Sequence, residues 1–374
     1  MKKILLSLII AGCLFACDDE TLNPIVQPIA QTSEPMYITS TTATLVGNVL
    51  TGGGTVQERG FYYTEYTYDM KVSDYSPITL QQEVMKGTQV VCTQDSEFSY
   101  SLENLEGDTD YYYLHVNGTL KVKSYKSKDL LTWQENGYSF LPSAGFWGKE
   151  DFWAPDFYKY KDKYYLFITL SAPGVKRGTS VLVSDRVTGT FQPLVNAPVT
   201  PQEWTCLDGS LYVDSEGIPW IFYCREWVEV GDGEIYIQQL KDDLTTTVGE
   251  PHLLFKASEA PWVGPVTLGE NTGNVTDAPT VYRLESGALL MLWSSFTKDG
   301  KYCIAQALSE SGNVQGPWVQ MPEPLNDDDG GHAMLFRDKN GILKISYHSP
   351  NTTGLERLTI KDVAIENNKV RIIE

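Results

Sequence analysis

Ala154-Pro155-Asp156-Phe157, Leu207-Asp208-Gly209-Ser210, Thr276-Asp277-Ala278-Pro279 and Gly331-His332-Ala333-Met334 open four short apolar strands, each with one ionisable residue. A turn and a second strand dense in aromatics follow each opening, at 164–169, 219–224, 288–294 and 342–348. A β unit of roughly 50 to 70 residues that repeats along the chain is the signature of a propeller. The first strand of every propeller blade lines the central axis. Three carboxylates and an imidazole from remote positions are therefore expected in one funnel, a candidate active site.

A second element recurs. Ser127-Lys128-Asp129-Leu130, Ser184-Asp185-Arg186, Lys241-Asp242-Asp243-Leu244 and Ser309-Glu310-Ser311-Gly312 each close a strand and start a turn, 57, 57 and 68 residues apart. These turns belong between the third and fourth strands of successive blades. The copy at Ser127 then marks a blade ahead of the four openings, and the expected count is five.

The chain has 374 residues, beyond the roughly 250 to 300 at which single cores split, so two domains are the default. The net charge of −19 repels nucleic acid. Lys2 and Lys3 precede an apolar run, Ile4 to Ala16, that is too short to span a bilayer as a helix and reads as a secretory leader. Two cysteines follow small residues, Ala11-Gly12-Cys13 and Phe15-Ala16-Cys17. Both resemble the bacterial lipoprotein cleavage box, and Cys17 is preferred because Asp18-Asp19-Glu20 follows at once. A lipid on Cys17 would anchor a soluble domain to the outer membrane without a transmembrane helix. The expected order is a leader over 1–16, a tether over 17–29, a small β-sandwich over 30–127 and the propeller over 128–374. The fold class is all-β.

Ala43-Thr44-Leu45-Val46-Gly47-Asn48-Val49-Leu50 alternates as a half-buried strand should, weakened at Val46 and Leu50. Further strands are expected at 56–63, 98–105 and 111–116. Glu58-Arg59-Gly60-Phe61-Tyr62-Tyr63 and Phe98-Ser99-Tyr100-Ser101-Leu102, with Asp110-Tyr111-Tyr112, resemble fibronectin type III-like modules. A glycan-binding role and a rigid spacer both fit that module. Cys206 and Cys224 mirror each other about Ser215 in an expected hairpin, so a disulfide and two buried thiols are both open.

Phe152-Trp153-Ala154-Pro155-Asp156 with Lys163-Tyr164-Tyr165-Leu166-Phe167, Leu207-Asp208-Gly209-Ser210-Leu211-Tyr212-Val213-Asp214, Thr276-Asp277-Ala278-Pro279 and Gly330-Gly331-His332 resemble glycoside hydrolase family 43. The resemblance implies a five-bladed propeller that hydrolyses arabinose- and xylose-containing polysaccharides with inversion. Inversion needs a carboxylic acid for the departing oxygen and a carboxylate that activates water, roughly 6.5 to 9.5 Å apart. Asp208 matches the aspartate that tunes the acid in that family, and Asp277 falls where the acid stands. The family has glutamate at that place, one methylene longer. The family's base is an aspartate before a proline in the first blade, and no such pair is present here; counting back 28 to 33 residues from Ser127 reaches 94–99, where Asp95 lies.

The remaining candidates have two readings each. Asp156 and Trp153 line a sugar subsite, or Asp156 caps a turn. Arg225 and Glu226 bind sugar hydroxyls, or form an internal ion pair. His332 matches the axial histidine that sits beside a central calcium ion or water in related propellers, or is simply a buried, hydrogen-bonded histidine; alone it is no calcium site. Asp327-Asp328-Asp329 reads as a solvated loop. Trp147, Trp153, Trp204 and Trp262 fall in connections, where one or two are expected to meet ligand. No cofactor is required. Phosphate-cradling loops, zinc spacings and Gly-x-Ser-x-Gly elbows are absent from the sequence. A glycosidase at the cell envelope is the leading expectation, and a catalytically weakened glycan-binding propeller is the other.

Overall fold

The computed structural model describes residues 4–6, 29–32, 43–50, 59–65, 86–92, 97–102, 111–115 and 121–373. Cys13, Cys17, Asp95 and Asp110 lie outside the described residues. The chain divides into two compact units, Met1–Thr109 and Asp110–Glu374.

In the smaller unit Ala43–Leu50 lies between Ile29–Thr32 and Glu97–Leu102, and Arg59–Glu65 lies between Ile4–Leu6 and Thr88–Cys92. Leu45 and Val46 are both buried, so the alternation fails at Val46, where the pattern is weakest. Tyr111–His115 belongs elsewhere. It pairs with Val122–Ser127, which pairs with Gln134–Phe140, so the division between units falls near residue 110 rather than 127. An aromatic strand fits either module by pattern, and only its pairing partner decides.

The larger unit contains four antiparallel four-stranded sheets over 150–193, 206–256, 277–320 and 331–372. They are the Asp156, Asp208, Asp277 and His332 blades, after the residue near the start of each inner strand. Their second strands read as continuous apolar runs because both faces are buried. Tyr165 and Phe167 meet Ile221 and Tyr223 in one layer, Phe222 and Cys224 meet Met291 and Trp293 in the next, and Leu290 and Leu292 meet Ile345 and Tyr347 in a third. Each layer thus joins two adjacent blades. Filling one such position with a fully buried large apolar side chain stabilises the fold by about 1.5–3 kcal/mol.

A fourth layer joins Leu166, Ile168 and Leu170 to Val122 and Phe140 of the three-stranded sheet 111–140. The recurring turns sit after third strands, as their spacing requires: Ser184 and Ser309 end Val175–Ser184 and Tyr302–Ser309, and Lys241 follows Glu234–Leu240. The Ser127 hydroxyl accepts from the Asp129 and Leu130 amides, a hydroxyl turn that stops the strand. Among the described residues, helix is confined to Trp227–Val230 and the 3-10 turn Ala257–Glu259.

Candidate active site

Every inner strand opens with the same irregularity. Trp153 and Asp156 face Thr169 and Phe167, Leu207 and Ser210 face Cys224 and Phe222, Asp277 and Thr280 face Ser294 and Leu292, and Gly331 and Met334 face His348 and Ser346. Three steps on the inner strand match two on its partner, the count of a β-bulge. The residue after the first pair has positive φ in all four: Ala154 41°, Asp208 53°, Ala278 51° and His332 57°. Such a conformation costs a non-glycine residue about 1–3 kcal/mol, and strain of this kind gathers at functional sites.

The bulges stagger the four ionisable groups. Asp277 precedes its bulge and stays partly exposed, Asp208 and His332 occupy the bulge, and Asp156 lies beyond it. Asp156 and Asp208 are 5% and 8% exposed. The structure therefore brings Asp156, Asp208, Asp277 and His332 together at the hub, on inner strands of four different blades.

His332 is the centre of this cluster. Its Nε2 lies 3.8 Å from Asp156 Oδ1 and its Nδ1 lies 3.8 Å from Asp208 Oδ2. Its backbone N–H donates to Ser294 Oγ at 2.9 Å. The preceding residue must be glycine, because a Cβ at Gly331 would meet Tyr302 Cε1 at 2.2 Å. Tyr302 donates its hydroxyl to Asp277 Oδ2 at 2.9 Å, and Asp329 holds the Tyr302 amide. The Thr169 hydroxyl donates to Asp208 Oδ1 at 3.3 Å and the Ala278 amide to Oδ2 at 3.0 Å. The Tyr158 hydroxyl donates to Asp156 Oδ2 at 3.0 Å.

Burial pushes Asp277 up to about 8, with the Asp208 charge adding to it and Tyr302 and His332 opposing. Burial also raises Asp208, against His332 and the Ala278 amide. For His332 burial favours the neutral ring, but the charges of Asp208 and Asp156 outweigh it and hold the imidazole up at about 9. At neutral pH Asp277 is a proton donor beside an imidazolium.

At the rim, Arg177 stacks over Trp153 with its guanidinium carbon 4.1 Å from the ring centroid. It donates to Asp151 at 3.0 Å and is also paired with Glu226. Trp153 is 44% exposed and sits in strand Glu150–Tyr160, not in a connection. Arg225 stacks on Trp204 at 4.3 Å and donates to Glu229 at 2.7 Å. Arg225 and Glu226 are thus each in an ion pair, but with other partners than one another.

Trp147 donates to Ser180, and Trp262 stacks on Trp293, so both have framework contacts. Asp328 bonds Tyr347 and Lys361, and Asp329 caps the Tyr302 and Asn351 amides. That loop is structural rather than merely solvated. Sequence reasoning missed Arg177, Asp151, Glu229 and Tyr302. Nothing local marks them, although Tyr302 opens a strand of the Asp277 blade.

His332 presents Nε2 towards Asp156 and Nδ1 towards Asp208. Calcium needs six to eight oxygen ligands, and among the described residues no group of three or more His, Cys, Asp or Glu could hold a metal ion.

A family model described as glycosyl hydrolases family 43 matches residues 101–368. This chain belongs to that family. The family 43 assignment agrees with solved structures. An endo-arabinase from Bacteroides thetaiotaomicron is 61% identical, with a TM-score of 0.68 over 70% of this chain and 91% of that one. An endo-1,4-beta-xylanase from the same organism is 25% identical, with a TM-score of 0.58 over 71% and 90%. An extracellular exo-alpha-(1->5)-L-arabinofuranosidase of Cellvibrio japonicus is 22% identical over 259 residues, 63% of this chain and 70% of that protein. The protein is a glycosyl hydrolase with an all-β, propeller-like catalytic unit.

Proposed function

We propose that this family 43 hydrolase cleaves arabinan with inversion at the anomeric carbon. The carrying observation is Asp277, a partly exposed carboxyl that burial and Asp208 keep protonated up to about 8. Tyr302 holds one Asp277 oxygen and leaves the carboxyl to protonate the departing glycosidic oxygen. Asp208, held by Thr169 and the Ala278 amide, stays beside it and disfavours early proton loss. Water attacks the anomeric carbon from the opposite face as the glycosidic bond breaks, which inverts the carbon, and the water's extra proton passes to solvent, since the family's Asp-Pro base is absent from this sequence. Trp153 offers an exposed ring for a sugar face, with Arg177 and Glu226 beside it.

Arabinan is favoured over xylan because the 61% identical relative is an endo-arabinase and the xylanase is only 25% identical. The sheet 111–140 serves as a shortened fifth blade, supported by its Ser127 turn and its shared layer with the Asp156 blade. The N-terminal unit serves as a fibronectin-like spacer between this catalytic unit and a lipid on Cys17. The Leu14-Phe15-Ala16-Cys17 box and the extracellular relative support action at the cell envelope.

Digestion of linear arabinan followed by NMR of the first products tests the reading. Release of oligosaccharides of inverted configuration is expected, with product length separating internal from terminal cleavage. Arabinan binding by the wild-type protein without any turnover would overturn it in favour of a glycan-binding lipoprotein.

A further inference from the structure

Ahead of the Asp277 strand the chain makes a small ribbon, Val266–Leu268 paired with Asn271–Gly273 across a turn at Gly269 and Glu270. A two-stranded ribbon by itself is marginal in water, and this one is fastened at its base. On one side the Gly264 amide donates to the Phe296 carbonyl at 2.9 Å. On the other, the Asn274 amide donates to the Gly231 carbonyl at 3.0 Å, and the Asn274 carbonyl accepts from the Gly233 amide at 2.9 Å. The Asn274 side chain adds a bond to Asp232 at 3.0 Å.

The two faces of the ribbon differ. Val266 opposes Gly273 and Leu268 opposes Asn271 on one face, whereas Thr267 opposes Thr272 on the other, with 3.0 Å between their hydroxyls. A Cβ at Gly273 would meet the Gly231 carbonyl oxygen at 2.0 Å and the Trp227 ring at 3.0 Å. The face that carries Leu268 is therefore turned to the Trp227–Val230 turn, whose preceding residue Glu226 pairs with Arg177 under the Trp153 ring. Its base is packed there, yet Leu268 is 66% exposed and Asn271 is exposed beside it. An isobutyl group next to a carboxamide matches a sugar, which has an apolar C–H face and hydroxyls at its edge.

Reach decides which part of a substrate this pair can meet. Gly273 and Asp277 are four residues apart, so at most about 14 Å of chain separates the ribbon's base from the acid. Asn271 lies two residues further out, about 7 Å along a strand. The acid must lie against the departing oxygen, and the departing fragment begins at that oxygen.

We propose that Leu268 and Asn271 bind the departing, reducing-end side of the arabinan chain. The proposal rests on Asp277 being the acid. Contacts beyond the cleaved bond hold a long departing fragment and leave a short one free, so the ribbon favours cuts that leave several units on the reducing-end side. It is in this sense a determinant of internal cleavage.

Digestion of arabinohexaose labelled at its reducing end, by the full chain and by Leu268→Ser and Asn271→Ala, tests this. The wild type should release labelled fragments of several units. In Leu268→Ser these fragments should shorten, and kcat/KM on the hexaose should fall about fivefold, through KM with kcat kept. The deficit should shrink as the substrate is shortened. Asn271→Ala should move the pattern the same way by less. Unchanged fragments and KM in both variants, or longer labelled fragments, would overturn the proposal. A wild type inert towards arabinan sinks the proposed function instead. Calorimetric titration with the hexaose then decides the ribbon: weaker binding by Leu268→Ser than by the wild type supports it, and equal affinity, none included, overturns it.

Discussion

The hub and the rim of the propeller use the same residue types to opposite effect. At the rim, burial raises Glu229, but bonds from Lys176, Arg225 and Thr205 outweigh it and hold the carboxyl down at about 2. At the hub, Asp277 has no arginine or lysine partner and stands at about 8 beside Asp208. Lys176 and Arg225 fix Glu229 as a charge that ties the Asp156 and Asp208 blades together, whereas burial raises Glu226 despite its Arg177 partner. Among the described residues no lysine or arginine pairs with Asp277, which leaves a carboxyl able to give a proton at neutral pH. Divergent environments for like groups are how one fold separates structural from chemical carboxylates.

Removing the hub donor is the severest way to break that contrast. Asp277→Asn should lower kcat/KM on arabinan by about 10²–10⁴, with the smallest loss on substrates whose leaving group needs no proton. Asp208→Asn should lower it comparably and shift the alkaline limb downward, since the repulsion that raises Asp277 is gone. Loss of binding with kcat intact in either variant would contradict their placement.

Stability against pH sharpens the same contrast. The native state keeps a proton on Asp277 that the unfolded chain releases near pH 4, so this group's stabilisation is complete below that point. It is lost as pH rises towards 8, at up to about 1.4 kcal/mol per unit. Glu229 has the opposite sign, because its stabilisation is present above the unfolded value and is lost as pH falls towards 2. Thermal melts from pH 4 to 9 should show Asp277→Asn gaining on the wild type as pH rises. A difference independent of pH would mean that Asp277 is ionised in the folded protein throughout.

The rim should fail differently. Arg177→Ala strands Glu226 and Asp151 without their cation and removes the stack on Trp153. A cost of about 3 kcal/mol in stability is expected for breaking such a poorly exposed pair, with a rise in KM larger than any change in kcat. Arg177→Lys should recover little, since ammonium cannot hold two carboxylates and a ring face at once. Denaturant melts and Michaelis profiles check both.

Much of this hub was legible in the sequence because strand periodicity and repeated openings are local. Asp156, Asp208, Asp277 and His332 each announce themselves at the head of an apolar strand, and they do converge. The bulges were not legible, since one extra residue leaves no mark on composition. Without them the staggered levels of Asp277, Asp208 and Asp156 cannot be seen. Arg177 and Glu229 were missed because they act between blades, and Arg225 and Glu226, adjacent in sequence, turn to different partners. Tyr111–His115 was misplaced because a strand's neighbour is a long-range property.

The smallest expected effect tests what the bulge does to register. A symmetric hairpin about Ser215 places Cys206 opposite Cys224, but the observed pairing sets Cys206 against Arg225 and Leu207 against Cys224. A shift of one residue moves a side chain to the other face of a sheet. Cys206 accordingly packs with Phe167 and Tyr223 between the Asp156 and Asp208 blades, and Cys224 packs with Phe222 and Trp293 between the Asp208 and Asp277 blades. Both are free and buried, and burial raises both thiols. Reductant should leave the melting temperature unchanged, and alkylation after unfolding without reductant should label both cysteines in full. A peptide carrying a Cys206–Cys224 disulfide would show that the bulge, and with it the stagger of the hub carboxylates, is not where the structure puts it.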